Sequence, residues 1–319
     1  MRAEQVHRYD KERPFAATYS ILAHDHETGE LEAAVQSHWF SVGSVVIWGK
    51  AGVGVVATQS FVNPSFGSKG LGLLRRGRSP DEAVQELIDA DEGRDIRQLA
   101  IMDRAGKGAA YTGKRCIPAA GHIEGKDHTV QANMMGDPEV WPAMSKAFRQ
   151  ATGPLPERML RALEAAEAAG GDIRGRQSAA MLVVKGRAIR RPWEERTVDL
   201  RVDDHLDPVT ELKRLLQVHR AYESMNQGDL AMERGRMEEA EEHYREAEAR
   251  FPENEEMVFW HAVAMVNNQR AAMGARLLIQ VFRRNSQYLE LARRISTLGL
   301  LKMDLSTIED LGSGIFPGK

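Results

Sequence analysis

A single cysteine, Cys116, stands in 319 residues, so no disulfide can form within the chain and its fold rests on packing alone. A lone cysteine beside a histidine can be a nucleophile, but one set among apolar neighbours reads as an inert core thiol. Neither sign of charge dominates. The 43 Lys and Arg against 46 Asp and Glu leave a net charge of -3, spread along the chain without a basic stripe, which sets aside nucleic acid as a first-line partner. No apolar run approaches the roughly 20 residues of a membrane-spanning helix, and the segment after Met1 is polar with no signal-peptide core. The expectation is a cytoplasmic protein with no membrane association. Gly106-Lys107-Gly108 is too short for a phosphate-cradling loop, so no nucleotide and no other cofactor is expected.

What the chain does have is 42% hydrophobic residues, enough for one large domain and a smaller one. Thr18 to Ala23 and Leu31 to Ser37 are β-rich runs joined by the turn signal His26-Glu27-Thr28-Gly29, which predicts a hairpin. The run Val53 to Ala57 suits a buried strand, and its flanking Gly52 and Gly54 suggest close backbone approach. Ser79, Pro80 and Glu82 spell a capping box ahead of an apolar helix face. Strands are expected at Arg97–Asp103, Gly108–Thr112 and Thr129–Met134, helices at Pro138–Gln150 and Pro156–Ala169. Gly170-Gly171 stops the second helix, and Gln177–Val184 reads as a buried strand. This order does not alternate as a doubly wound sheet would; two stacked antiparallel sheets covered by helices on both outer faces fit it better. The fold class is therefore α+β with a helical tail.

The pattern changes near Pro192, and from Pro208 onward helix signal is nearly continuous. Gly228, Ala240, Tyr244, Ala247 and Pro252 have tetratricopeptide spacing, repeated 34 residues later by Ala262, Gly274, Leu278 and Val281. Small residues at these places let paired helices cross closely. Two units are fewer than a solenoid needs, so the tail is expected to pack on the first domain, on a second copy in a homo-oligomer, or on a partner. Trp193, Tyr222, Tyr244, Phe259 and Trp260 could line a groove, although at helical spacing aromatics read as core. The division is 1–17 as an N-terminal extension or propeptide, 18–203 as the α+β domain and 204–319 as the helical domain.

Thr18 opens the first strand of the hairpin. A hydroxyl in that place can be activated by the free amine of its own residue, and only a terminal Thr, Ser or Cys can do this. Seventeen residues precede it, and a threonine starting a strand is also ordinary, because β-branched side chains favour strands. His24 and His26 alternate onto one face, but two ligands entering a turn are too few for a metal; the pair reads as a solvated turn and no metal is expected. His38, His122 and His128 could join them only through folding.

The run TYSILAHDHETGELEAAVQSHWFSVGSVVIWGKAGVGVVATQS, followed in order by NPSFG, GLGLLRRG, AYTGKRC, VQANMM and GGDIRGRQSAAMLVV, resembles the family known as domain of unknown function 1028. The likeness covers about residues 16 to 200. That family is assigned to the N-terminal nucleophile (Ntn) hydrolases, which implies a four-layer αββα sandwich and amide-bond hydrolysis. In shorter relatives a Met-Thr start corresponds to Ala17-Thr18, so loss of the methionine exposes the threonine; here exposure requires cleavage after Ala17. The stretch from Leu206 to Met265 resembles a module often fused to the family and described as peptidoglycan-binding.

If the resemblance extends to chemistry, Thr18 is the nucleophile and Ser20, on the same strand face, can relay a proton. Asn133 and the backbone at Gln59-Ser60 are candidates for an oxyanion hole. Asp172, Arg174, Gln177 and Ser178 form a polar cluster in which Arg174 could grip a substrate carboxylate and Asp172 orient an amine. Each has a structural alternative: a strand end satisfying its own backbone for Asn133, Gln59 and Ser60, a salt-bridged connector for the cluster. Three readings follow, namely an amidohydrolase acting on a small amide or peptide-like substrate, a non-catalytic scaffold of the same fold, and a peptidoglycan-associated binding protein.

Overall fold

The structure is a computed structural model that describes residues 15, 16, 18–252 and 254–314. The rest of the N-terminal extension, and Ala17 with its bond to Thr18, lie outside the described residues.

β1 is the short strand Phe15–Ala16; β2 (Thr18–His24) and β3 (Leu31–Ser37) form the expected hairpin. Its turn is stapled by Asp25, whose carboxylate accepts from the backbone N–H of Glu27 at 2.8 Å and of Thr28 at 3.1 Å. One sheet has the order β11-β10-β3-β2-β9-β8, adding β8 (Gly121–Gly125), β9 (His128–Asn133), β10 (Ser178–Val184) and β11 (Arg196–Val202). The other runs β1-β5-β6-β7, with β4 (Ile47–Lys50) also paired to β5 (Gly54–Phe61), then β6 (Arg97–Asp103) and β7 (Gly108–Thr112). All pairings in both sheets are antiparallel.

Alternation along each strand decides what the two sheets share. Leu22, Leu31, Ala33 and Val35 of one meet Val55, Ala57, Ala100 and Met102 of the other in a single apolar cluster. The outer face of the β5–β6 sheet buries Val56, Leu99 and Ile101 under Phe66, Leu73 and Leu74 of α1 (Ser65–Arg75) and Val84, Leu87 and Ile88 of α2 (Pro80–Asp89). α3 (Val140–Gln150) packs on β9 and β8, and α4 (Leu155–Ala168) on β2 and β3. α2 starts as its sequence dictates: Ser79 Oγ accepts from Glu82 N–H at 3.3 Å and the Glu82 carboxylate accepts from Ser79 N–H at 2.8 Å.

α1, β4, β8 and β11 have no counterpart in the sequence reading. The reason is clearest for α1, SFGSKGLGLLR, whose three glycines disfavour a helix. Packing overrides that preference: a Cβ on Gly67 would sit 2.2 Å from the Trp48 ring, and one on Gly70 would meet Ile101 at 3.1 Å. The glycines let this helix lie flush on the sheet.

The chain divides into two compact units at Leu215/Leu216, inside α5 (Pro208–Glu233) and not at the 203/204 break in sequence character. The first turns of α5 fall in the first unit, where Lys213 Nζ pairs with Glu164 of α4 at 2.8 Å. In the second unit come α6 (Met237–Arg250), α7 (Glu255–Asn267), α8 (Ala271–Arg284), α9 (Gln287–Thr297) and α10 (Leu305–Gly312). The 34-residue period marks where helices touch. Gly228 lies under the ring of Tyr244, and Gly274 lies against the carbonyl oxygen of Ala262. Tyr244 and Phe259 are core residues, fully buried.

Replacing Gly274 tests the close crossing. Alanine favours a helix by about 1 kcal/mol over glycine, yet here its Cβ would come within 2.6 Å of the Ala262 oxygen. Overpacking should win, so Gly274→Ala is expected to lower stability by about 1–3 kcal/mol in urea unfolding. A raised midpoint would show that the helices have room to spare.

Candidate functional site

The site grows from one row of residues at an end of the six-stranded sheet. Thr18 begins β2 and pairs with Asn133, the last residue of β9; Ser37 ends β3 opposite Ser178 of β10. Thr18 Oγ1 lies 3.3 Å from Ser37 Oγ. All four are fully buried. The carbonyl oxygen of Thr18 accepts from Gln59 Nε2 at 3.1 Å and Asn133 Nδ2 at 3.4 Å, so two amides from two different sheets fix the backbone of this threonine.

Behind this row runs a seam of side-chain amides between the sheets. Ser20 donates to Gln59 Oε1 and accepts from Gln131 Nε2, both at 2.6 Å. Gln98 Oε1 accepts from Gln59 Nε2 at 2.6 Å and Asn133 Nδ2 at 3.0 Å, while its own Nε2 donates to Ala132 O at 2.9 Å and Thr112 Oγ1 at 2.9 Å. Thr112 Oγ1 continues the chain to His122 Nδ1 at 2.8 Å. Buried amides of this kind are stable only when nearly every donor and acceptor is matched. Asn133 Oδ1 is an exception, buried without a hydrogen-bond partner.

Two residues beside the row have left-handed backbone, Ser60 with φ 70° and Met134 with φ 58°. Such conformations are costly for side chains with a Cβ and gather where a structure is shaped for function. Ser60 pairs with Ala16 of β1 on one side and Arg97 on the other. β1 therefore belongs to one sheet and Thr18 to the other, and the chain crosses between the sheets in the two steps from Ala16 to Thr18. Arg97 steadies the place from below: buried, it pairs with Asp91 at 2.7 Å and donates to the carbonyl of Phe61. Cys116 donates to Arg97 O at 3.3 Å, and burial pushes its thiol above the usual range, away from the reactive thiolate.

One residue beyond Ser37, His38 N–H donates to Asp172 at 3.0 Å. Asp172 also accepts from Arg174, through Nε at 3.1 Å and Nη2 at 2.8 Å, and from its backbone N–H at 2.9 Å. The two charged groups thus hold each other, and the bridge Met135↔Asp172 ties their loop to the end of β9. Ser178 accepts from Val42 N–H at 3.1 Å and donates to Trp39 O, securing the loop after β3. Gln177 stands apart, 3.2 Å from Asp204. On the reverse face of β2, Tyr19 donates to Glu167, which Arg176 also pairs; burial and then the Glu167 charge raise the phenol well above its ordinary value.

Thr18, Ser20, Gln59 and Asn133 thus meet in one network, with Ser60 at its edge. Gln98 and Gln131, which link the rest, were not singled out in the sequence. Their signal was a polar residue at an inward position of a strand: Gln98 directly opposes Gln59, and Gln131 lies two residues from Asn133 on the same face.

Two histidines give the fold a pH dependence: half-buried His122, bonded to Thr112 of the seam, and buried His128, at the opposite end of β9 from Asn133. His128 lies 2.8 Å from Ser145 Oγ and 2.9 Å from Lys126 O, and burial holds its pKa down; burial also lowers that of His122. The unfolded chain takes up protons at these sites near pH 6.5, whereas the folded chain resists them. Their stabilising contribution is complete above that pH and is lost as pH falls toward the depressed folded values. Urea midpoints should drop between pH 7.5 and 5.5, and His128→Gln should flatten the decline.

Two facing antiparallel sheets, helices packed against them, and a polar seam ending at a buried threonine make this a mixed α and β protein. The chain belongs to the family of unknown function DUF1028, which matches residues 18–212. It is similar to a protein from Silicibacter pomeroyi whose crystal structure carries the same family designation, with 38% identity, a TM-score of 0.57, and coverage of 63% of this chain and 84% of that one. None of the curated proteins compared with it matches. No helix among the described residues is long and apolar enough to cross a membrane.

Proposed function

We propose that the first unit is an Ntn-type amidohydrolase in precursor form, an αββα sandwich whose nucleophile is Thr18 and whose residues 1–17 are a propeptide. The observation that carries this is the placing of Thr18: a hydroxyl at the first position of an inner strand, in a buried polar network, directly after the chain passes between the sheets. In maturation, Thr18 Oγ1 attacks the Ala17 carbonyl, the C–N bond breaks as its nitrogen gains a proton, and water then hydrolyses the resulting ester, releasing residues 1–17 and a free amine. The new amine brings extra N–H donors beside Asn133, whose Oδ1 lacks one.

In the mature form the Thr18 amine accepts the proton from Oγ1 as the hydroxyl attacks a substrate carbonyl. Asn133 Nδ2 and backbone N–H groups at Gln59-Ser60 stabilise the oxyanion, and Ser20, two residues on along the same face, assists by holding the Gln59 and Gln131 amides in place. Asp172, Arg174, Gln177 and Ser178 are proposed as the recognition side, with Arg174, oriented by Asp172, facing a substrate carboxylate. The helical unit of a cytoplasmic protein is proposed as a module for self-assembly or partner binding; peptidoglycan as its ligand is the alternative reading and requires the protein to be exported.

Intact-mass measurement and N-terminal sequencing test the precursor. A population beginning at Thr18 is expected; a chain that keeps residues 1–17 under all conditions would sink the self-activated enzyme. Full burial of Thr18 and the pairing of β1 with β5 favour a second reading in that event, a permanent non-catalytic scaffold.

A further inference from the structure

At the opposite end of β2 from Thr18, a loop far away in sequence completes what the two hairpin histidines lack. We propose that His24, His26 and Asp127 form a binding site for one divalent transition-metal ion of the zinc type. One ligand atom from each residue lies within 4.8 Å of the others. The histidine rings meet edge to face with centroids 4.8 Å apart, and His26 Nε2 is 2.6 Å from Asp127 Oδ1. Asp127 reaches the place because the turn between β8 and β9 is hydrogen bonded to the hairpin, His24 N–H donating to Asp127 O at 2.9 Å.

Two imidazoles and a carboxylate suit a borderline cation, with a further position left for water or an anion. Ligand atoms around a tetrahedral ion with bonds of about 2.0–2.1 Å are separated by about 3.4 Å, so the His26–Asp127 pair need part by less than about 1 Å. A plain ion pair accounts for those two residues but leaves His24 unexplained. The residue is 7% exposed and its Nδ1 is buried with no hydrogen-bond partner, an uncompensated cost in a folded protein. The fold also makes room for that ring. Gly106, at φ +82°, sits where a Cβ would fall 2.7 Å from His24 Nδ1.

Access is provided by a cavity of about 950 Å³ whose wall includes His26 together with Arg104, Lys185 and Arg187. Glu27 and Glu30 line the same cavity, so its wall carries charges of both signs.

The test uses the full-length protein, stripped of metal with a chelator and titrated with Zn2+ by calorimetry and with Co2+ by visible absorption. One ion per chain is expected, with cobalt bands of a low-coordinate nitrogen and oxygen site and a raised melting temperature. His26→Gln and Asp127→Asn should each weaken binding at least tenfold. Both alter residues at the rim of the fold, and asparagine tolerates the left-handed backbone of Asp127 (φ 63°), so equal melting of the metal-free variants and parent verifies folding. Absence of stoichiometric binding, or unchanged affinity in both variants, overturns the proposal.

Discussion

Thr18→Ala is expected to leave the chain at full length and to abolish turnover of small linear amides, a loss of at least about 10³-fold. The size follows from the role, since without the hydroxyl neither the bond before residue 18 nor a substrate amide meets a nucleophile. The structural cost should be modest: Oγ1 gives up its hydrogen bond to Ser37 at 3.3 Å, a loss on the order of 1 kcal/mol. Folding and chemistry are therefore separable. Thr18→Ser supplies the control, because it keeps an Oγ and should retain processing and turnover at reduced rates. Processing in the alanine variant, or turnover that persists, would move the chemistry to another residue.

Gln98→Ala should be the most damaging single change in the polar seam, at about 3–5 kcal/mol. Gln98 receives hydrogen bonds from Gln59 and Asn133 and gives them to Ala132 and Thr112, so its loss strands several buried groups at once. For a unit of this size that corresponds to a fall of roughly 10 °C in Tm. Gln98→Met, similar in volume but without the amide, separates lost hydrogen bonds from lost packing. Parent-like stability in the methionine variant would show that the seam contributes nothing to holding the sheets together.

Much of the scaffold was legible because its signals are local. Ser79, Pro80 and Glu82 start α2 through contacts three residues apart, His26-Glu27-Thr28-Gly29 marks the hairpin turn, and strict alternation sends Thr18, Ser20 and Leu22 to one face. Elements stabilised by distant partners were not legible. α1 is rich in glycine because Trp48 and Ile101 lie against it, and those neighbours are absent from its own sequence window. β11 is an edge strand paired only with β10, so its burial is partial and its alternation faint. The first turns of α5 likewise take a partner from far off, Lys213 pairing with Glu164 of a helix some 50 residues back.

The site divides the same way. Thr18, Ser20, Asn133 and Gln59 could be named one by one from strand ends and motif resemblance, and folding unites them. Asp172 and Arg174 could be named as well, a salt-bridged connector among the readings, and the structure shows them gripping each other. Gln98 and Gln131 needed two sheets to become a seam, and Asp127 needed a turn about 100 residues away to meet His24 and His26. The order of amino acids alone settles which residues can cap, turn, alternate and pair over a few positions, since those interactions are enclosed within a turn or a strand. Tertiary structure decides which buried polar groups face one another across the sheets, because that depends on the register of strands far apart in the chain, and both the Thr18 network and the His24–His26–Asp127 cluster exist only through it.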